Sequence, residues 1–268
     1  MIHVNLNTRV TTGLPACRFV CLRELCGEDE LWDDTAIGLI DRLLLDRPGA
    51  AFGPGDAKKL TLSETDRVLS AIYRSLYGEV VQCHVACISC GGSYAMSFGL
   101  AELWDSVTGA LSADDALLLD LSGCNADGVY QFRSLRFRLP TGEDVEAVAG
   151  LGTEEQALAL RDRCVLEDDR SVDERGFDRA LSLAGPILDL DLDSTCSECG
   201  AAQLVPFRLD DFLLSALRRE GPLLAREVHA LARAYRWSRR EILAMTRRER
   251  RQHTGFVLAE LGSGDSWP

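Results

Sequence analysis

The chain has 268 residues, 46% hydrophobic and 26% charged, which fits one large or two small globular domains and excludes wholesale disorder. Its net charge of −13 is uneven: residues 1–217 hold −18, residues 218–251 hold +7 from 11 Arg against 4 Glu, and the last 17 residues hold −2. No apolar run reaches the roughly 18–20 residues of a bilayer span, and MIHVNLNTRV lacks the basic-then-apolar order of a secretory signal, so the expected location is the cytoplasm.

In chain order, LRELCGED (22–29) is the first marker. Thr61-Leu62-Ser63-Glu64 reads as a capping box. Val68, Ile72 and Leu76 then form a helical stripe that Gly78 ends. Val81, Cys83 and Val85 alternate as a strand, CISCG (87–91) follows, and Tyr94, Met96, Phe98 and Leu100 alternate again. Residues 105–128 form a connector, with the apolar patch Leu117 to Leu121 expected as a short helix.

The same order then recurs. FRLPTGED (137–144) matches the first marker at an offset of 115, through Arg23/Arg138, Gly27/Gly142 and the Glu-Asp pairs 28–29 and 143–144. Ser171 with Glu174 is a second capping box, followed by the stripe Phe177, Leu181, Ala184 and the stop Gly185-Pro186. Leu188, Leu190 and Leu192 alternate with Asp189, Asp191 and Asp193, a strand with one wet face. CSECG (196–200) matches CISCG at an offset of 109, and Val205, Phe207 and Leu209 alternate after it. Four elements in one order point to an internal duplication. The expected domains are a first knuckle repeat over 15–104, the connector over 105–128, a second knuckle repeat over 129–217 and a basic arm over 218–261.

Ten cysteines are many for a cytoplasmic chain, where disulfides are disfavoured. Cys87, Cys90, Cys196 and Cys199 form two Cys-x-x-Cys-Gly knuckles, each at a hairpin tip. Together they give the four thiolates that suit a structural Zn²⁺. The 105 residues between them exceed a compact ribbon, and the duplication accounts for the gap if each copy supplies half of one site. Free thiol pairs and a redox pair are the competing readings, the latter without a strand–CxxC–helix context. Cys83 and His84, just before the first knuckle, are candidate substitute ligands, but Cys83, in phase with Val81 and Val85, reads first as core, and His84 as solvent-facing. Cys17, Cys21, Cys26, Cys124 and Cys164 read as small buried hydrophobes. No GxSxG, P-loop or metalloprotease motif occurs.

Residues 222–235 (PLLAREVHALARAY) predict a helix with Pro222 at its first position and the stripe Leu224, Val228, Leu231, Tyr235. Ser238-Arg239-Arg240-Glu241 opens a second helix carrying Ile242, Leu243 and Met245, then Arg247, Arg248, Arg250 and Arg251. Trp237 is expected to wedge between the two helices. An Arg-rich helix pair can dock on an acidic protein surface or lie on DNA, and the −18 body disfavours DNA.

At this point the residues resemble a family. The run LRELCGED … DRVLSAIYRSLYGEVVQCHVACISCGGSYAMSFGL is similar to the baseplate hub-subunit and hub-assembly family of contractile-tailed bacteriophages and their counterparts in phage-like contractile injection systems. EVHALARAYRWSRREILAMTRRERRQH resembles a short baseplate-associated module of those systems, through Val228, His229, Tyr235, Trp237, Ser238, Glu241, Ile242, Leu243, Arg248, Arg250 and Arg251. The resemblance covers residues 15–105 and 222–255 and implies a non-enzymatic role in forming or joining the baseplate hub, with other baseplate, hub, tube or spike proteins as partners. It implies partner contacts at His229, Tyr235, Trp237, Glu241, Arg248, Arg250 and Arg251. Two knuckle units and an arm in one chain depart from the simplest pattern, which leaves open a permanent subunit or an assembly factor.

The expected fold is therefore α+β: two tandem zinc-ribbon-like repeats sharing one four-Cys zinc site, plus a C-terminal helical hairpin. The expected function is a baseplate structural or assembly protein, free or incorporated into a phage-like particle. The alternative is a zinc-ribbon nucleic-acid-binding regulator using the Arg-rich helices. A further rival is an enzyme with an acidic pocket.

Overall fold

A computed structural model describes residues 1–6, 18–109, 119–120, 128–132, 134–167 and 174–262. It is a mixed α+β fold with small antiparallel sheets. The first unit runs β1 (Ile2–Asn5), β2 (Phe19–Leu22), α1 (Gly27–Glu30), α2 (Ala36–Leu43), β3 (Leu44–Leu45), a 3-10 turn (Ala57–Lys59), α3 (Leu62–Tyr77), β4 (Val80–Ala86), β5 (Ser93–Gly99) and α4 (Leu100–Thr108). The second runs β6 (Leu119–Asp120), β7 (Val129–Phe132), β8 (Leu135–Arg138), α5 (Gly142–Val148), α6 (Thr153–Cys164), β9 (Val165–Glu167), α7 (Glu174–Ala184), β10 (Asp189–Thr195), β11 (Ala202–Arg208) and α8 (Leu209–Tyr235). The arm adds α9 (Arg239–Ala244) and α10 (Arg247–Gly262). From β1 to α4 the order of elements recurs from β7 to α8, as a duplication requires.

Side-chain geometry repeats as well. After β2, Arg23 pairs with Asp29, whose Oδ2 accepts the Cys26 N–H at 2.9 Å and caps α1. After β8, Arg138 pairs with Asp144, whose Oδ2 accepts the Thr141 N–H at 3.0 Å and caps α5. A second guanidinium closes each site, Arg42 on Asp29 at 3.3 Å and Arg163 on Asp144 at 2.8 Å. Both carboxylates are buried, and paired cations together with backbone donors are what permit a buried charge.

Each capped turn docks on the start of another helix, and both docks share one design. Thr141 bridges Thr61, the N-cap of α3, and Gly142 N–H donates to Leu60 O at 3.2 Å. Cys26 bridges Thr246, and Gly27 N–H donates to Met245 O at 3.2 Å. Both receiving helices open on a Thr-x-x-Glu box, Thr61 with Glu64 and Thr246 with Glu249. The second unit thus docks on α3 of the first, and the first docks on α10 of the arm.

The cores do not follow the repeat boundary. Phe132, Leu135, Phe137, Leu139, Cys164, Phe177 and Ala184 make a core within the second unit. Leu188, Phe207, Leu209, Leu213, Leu214 and Leu217 instead join Val20, Leu39, Ile40, Leu69 and Ile72 in the main core of the first unit. The second hairpin and the first half of α8 therefore lie on unit one.

Three local expectations change. Pro222 lies inside α8, not at its start, because α8 buries Leu213 and Leu217 before it and Leu224 and Leu231 after it. In the patch Leu117 to Leu121, Leu119 and Asp120 form β6 opposite Phe132 and Gln131, and the rest lies outside the described residues. Leu100 and Leu209, in phase with the strand alternation before them, begin helices instead. The capping residue Ser171 lies outside the described residues, and α7 follows it. Among the described residues no helix is long and apolar enough to cross a membrane.

Candidate metal centre

The two knuckles cap two hairpins of equal build. β4 pairs β5 from Val80↔Gly99 to Ala86↔Ser93, and β10 pairs β11 from Asp189↔Arg208 to Thr195↔Ala202. At the tips, Cys87 N–H donates to Gly92 O at 2.8 Å and Gly91 N–H to Cys87 O at 2.9 Å. Cys196 N–H donates to Ala201 O and Gly200 N–H to Cys196 O, both at 2.9 Å. Gly91 and Gly200 sit at φ 71° and 73°, in the left-handed region where a Cβ is costly. That accounts for the glycine directly after each second cysteine.

The hairpins bring all four sulfurs within 4.8 Å of one another, a set that could hold a metal ion. Cys87 Sγ lies 3.6 Å from Cys199 Sγ, and Cys90 Sγ lies 3.9 Å from Cys196 Sγ. Exchanging the units maps the first pair onto the second, so the sulfurs obey a local two-fold relation. Phe98 and Phe207, at equivalent strand positions, meet edge to face at 5.0 Å below them. Cys87 and Cys196 are buried, and Cys90 and Cys199 are exposed. Backbone N–H groups of Cys90 and Ser89 pull the Cys87 thiol below its ordinary pKa, and, against the opposing Gly92 N–H, contacts with the neighbouring sulfurs of Cys199 and Cys87 push the Cys90 thiol above its own.

Each hairpin also holds the other. Gln203 Nε2 donates to Ala86 O at 3.1 Å, and its Oε1 accepts Ile88 N–H at 2.9 Å. Tyr94, at the equivalent position of the first unit, donates its hydroxyl to Ser194 Oγ at 2.9 Å. The sequence pattern passed over Gln203, although it stands seven residues after Cys196 as Tyr94 does after Cys87. Cys83 is half-buried with its sulfur toward Met96 O, and His84 is exposed; neither belongs to the sulfur cluster. Cys21 and Cys164 are buried as expected, Cys26 is half-buried at the start of α1, and Cys17 and Cys124 lie outside the described residues.

The arm residues separate into two groups. Arg250 is fully buried, contacting Glu30 at 2.6 Å, Glu227 at 3.1 Å and Met245 O at 3.0 Å. Its guanidinium is spent inside the chain, so the implied partner contact at Arg250 gives way to an internal one. Arg247 is buried against Glu30 and Glu220 and over the Tyr77 ring. Arg251 is exposed but leans toward Glu220 and Glu227. Glu241 caps α9 through Ser238. His229, Tyr235 and Arg248 are exposed. Trp237 packs with Leu231, Ile242 and Val257, between α8, α9 and α10, as a wedge. The expected second helix divides at Met245, whose carbonyl is occupied by Gly27, and restarts at the Thr246 box.

No family model, curated protein or solved structure matches this chain.

Proposed function

We propose that this chain is a non-enzymatic structural or assembly protein of a phage-like contractile tail baseplate, with a structural Zn²⁺ in the four-cysteine cluster. The observation that carries the scaffold part is the convergence of sulfurs separated by 105 residues of chain onto one centre. A tetrahedral ion with bonds of about 2.3 Å sets ligand sulfurs about 3.8 Å apart. The pairs at 3.6 and 3.9 Å fit that edge. Four thiolates complete the shell and leave no open position for water or substrate, which suits a clasp rather than a catalytic ion. The baseplate assignment rests on the sequence resemblance. In this reading the arm seats on another baseplate, hub, tube or spike protein.

Two experiments test it. Metal analysis of the purified chain should return one zinc per chain, lost in Cys87→Ser or Cys199→Ser. Co-expression with the hub, tube and spike proteins encoded beside its gene should co-purify a defined complex. A neighbourhood without such genes, or no complex with their products, defeats the baseplate reading and leaves the metal centre standing. The exposed arginines of the arm favour a second reading, nucleic-acid binding. Tight DNA binding that weakens steeply with salt would support it.

A further inference from the structure

We propose that the solvent face of the arm around Trp237 is a docking surface for an acidic polypeptide segment that carries an aromatic side chain. The inference rests on the docking role of the arm and names the chemistry of its partner.

Four rings from three segments meet there. Tyr235, at the end of α8, stacks on Trp237 with centroids 4.5 Å apart. His253 of α10 stands edge-on to both, at 5.9 and 5.1 Å. Phe256, one turn further along α10, lies 6.3 Å from His253. Trp237 is anchored from beneath by Leu231, Ile242 and Val257. Tyr235 and Phe256 remain 36% and 52% exposed. A rigid group of rings kept at the surface on a packed base has the composition of an interaction hot spot.

The charge around the rings selects the partner. Arg233, Arg236, Arg239 and Arg240 are all exposed, and among the described residues none of them forms an ion pair or side-chain hydrogen bond. Arg247, Arg250 and Arg251 contrast with them, since each leans on glutamates of its own chain. In a molecule of net charge −13 these four cations have no carboxylate partner among the described residues. Arg236 also ends α8 at φ 59°, a left-handed position that ordinarily goes to glycine. A long cationic side chain thus occupies a costly conformation between Tyr235 and Trp237, a kind of outlier that clusters at binding sites.

A second copy of this face would bring like charges together, so the occupant is not the same surface of another molecule. Carboxylates match free guanidinium groups with charge-assisted bonds. Bases would need open ring faces, and Tyr235 and Trp237 already cover one face of each other. The observations therefore favour an acidic peptide with a ring over single-stranded nucleic acid.

The test uses the full chain with its metal and three fluorescent probes of matched length: a Glu–Tyr copolymer, polyglutamate and a single-stranded oligonucleotide. The copolymer should bind most tightly by anisotropy. Arg239→Glu with Arg240→Glu should weaken it at least tenfold, and Phe256→Ala, at an exposed position, should do so independently. Helix content and zinc content should stay unchanged in both. Absence of copolymer binding, or binding that both variants leave intact, overturns the proposal. Tighter oligonucleotide binding that disappears in the same variants also overturns it, in favour of nucleic acid. No baseplate protein enters this experiment, so it can succeed where the co-purification fails, and the reverse.

Discussion

Asp66 sits where the two units meet, its Oδ2 accepting Leu188 N–H at 2.7 Å. Burial pushes its pKa up to about 7 against that hydrogen bond, with Asp210 and Asp189 adding repulsion and Arg208 opposing them. The folded state therefore keeps the Asp66 proton to higher pH than the unfolded chain does. Its contribution to stability falls as pH rises between about 4 and 7 and stays low above that range. Asp66→Asn keeps an acceptor for Leu188 and removes the charge. Its melting temperature should match the parent near pH 4 and exceed it at pH 8; a difference that does not vary with pH defeats this account. Gln203 makes a different kind of claim, because it touches the knuckle backbone and not the sulfurs. Gln203→Ala should speed transfer of the proposed ion to a coloured chelator by roughly tenfold, the lower end of what outer-shell changes do to metal affinity. Unchanged transfer would mean that the knuckles hold their own geometry.

At the scale of elements, the two capped turns invite a matched pair of substitutions. A Cβ on Gly142 would stand 2.7 Å from Ile37 Cδ1 and 3.1 Å from Lys58 O, which belongs to the first unit's backbone. A Cβ on Gly27 would stand 2.8 Å from Leu243 Cδ2 and 3.1 Å from Leu243 Cα, in the arm. Gly142→Ala and Gly27→Ala should each cost about 1–3 kcal/mol, as overpacking does. Hydrogen exchange distinguishes them: Gly142→Ala should expose α5 and the start of α3, and Gly27→Ala should expose α9 and α10. Uniform loss of protection in both would mean that the docks are not separate. The same elements mark how far the sequence could be read. The capped helix α3, the hairpins and the knuckles are legible because neighbours within a few residues determine them. The Arg138–Asp144–Arg163 site is half legible, since the FRLPTGED marker contains its first pair but Arg163 comes from the end of α6. The destination of Arg247 and Arg250 was not legible. It depends on Glu30, more than 200 residues earlier, and no local pattern reports a pairing at that distance. Pro222 misled for a related reason: a proline suggests a helix start, but buried leucines on both sides hold α8 together across it.

For the whole molecule, the question is how much of the fold a metal ion bound at the four sulfurs would hold. Below the tips the units are joined without it. Ser63 Oγ donates to Pro186 O at 2.6 Å, Leu188 is bound by Asp66, Thr141 bridges Thr61, and Phe207 packs on Phe98 inside the main core. The tips have little of their own. Cys87, Tyr94 and Cys196 form a small separate cluster, backed by Val85 and Ala201. Zinc-finger peptides depend wholly on their ion because nothing else forms a core. This chain buries an extensive apolar core elsewhere, so the proposed ion should act as a clasp on two long hairpins. Removing it with a strong chelator should leave helix content nearly intact and lower the melting temperature by several degrees. Exchange protection should fall mainly at residues 85–94 and 194–203. Complete unfolding on chelation would show that the hairpins, and not the main core, carry the fold. No change at the tips would show that the four sulfurs hold no ion in solution.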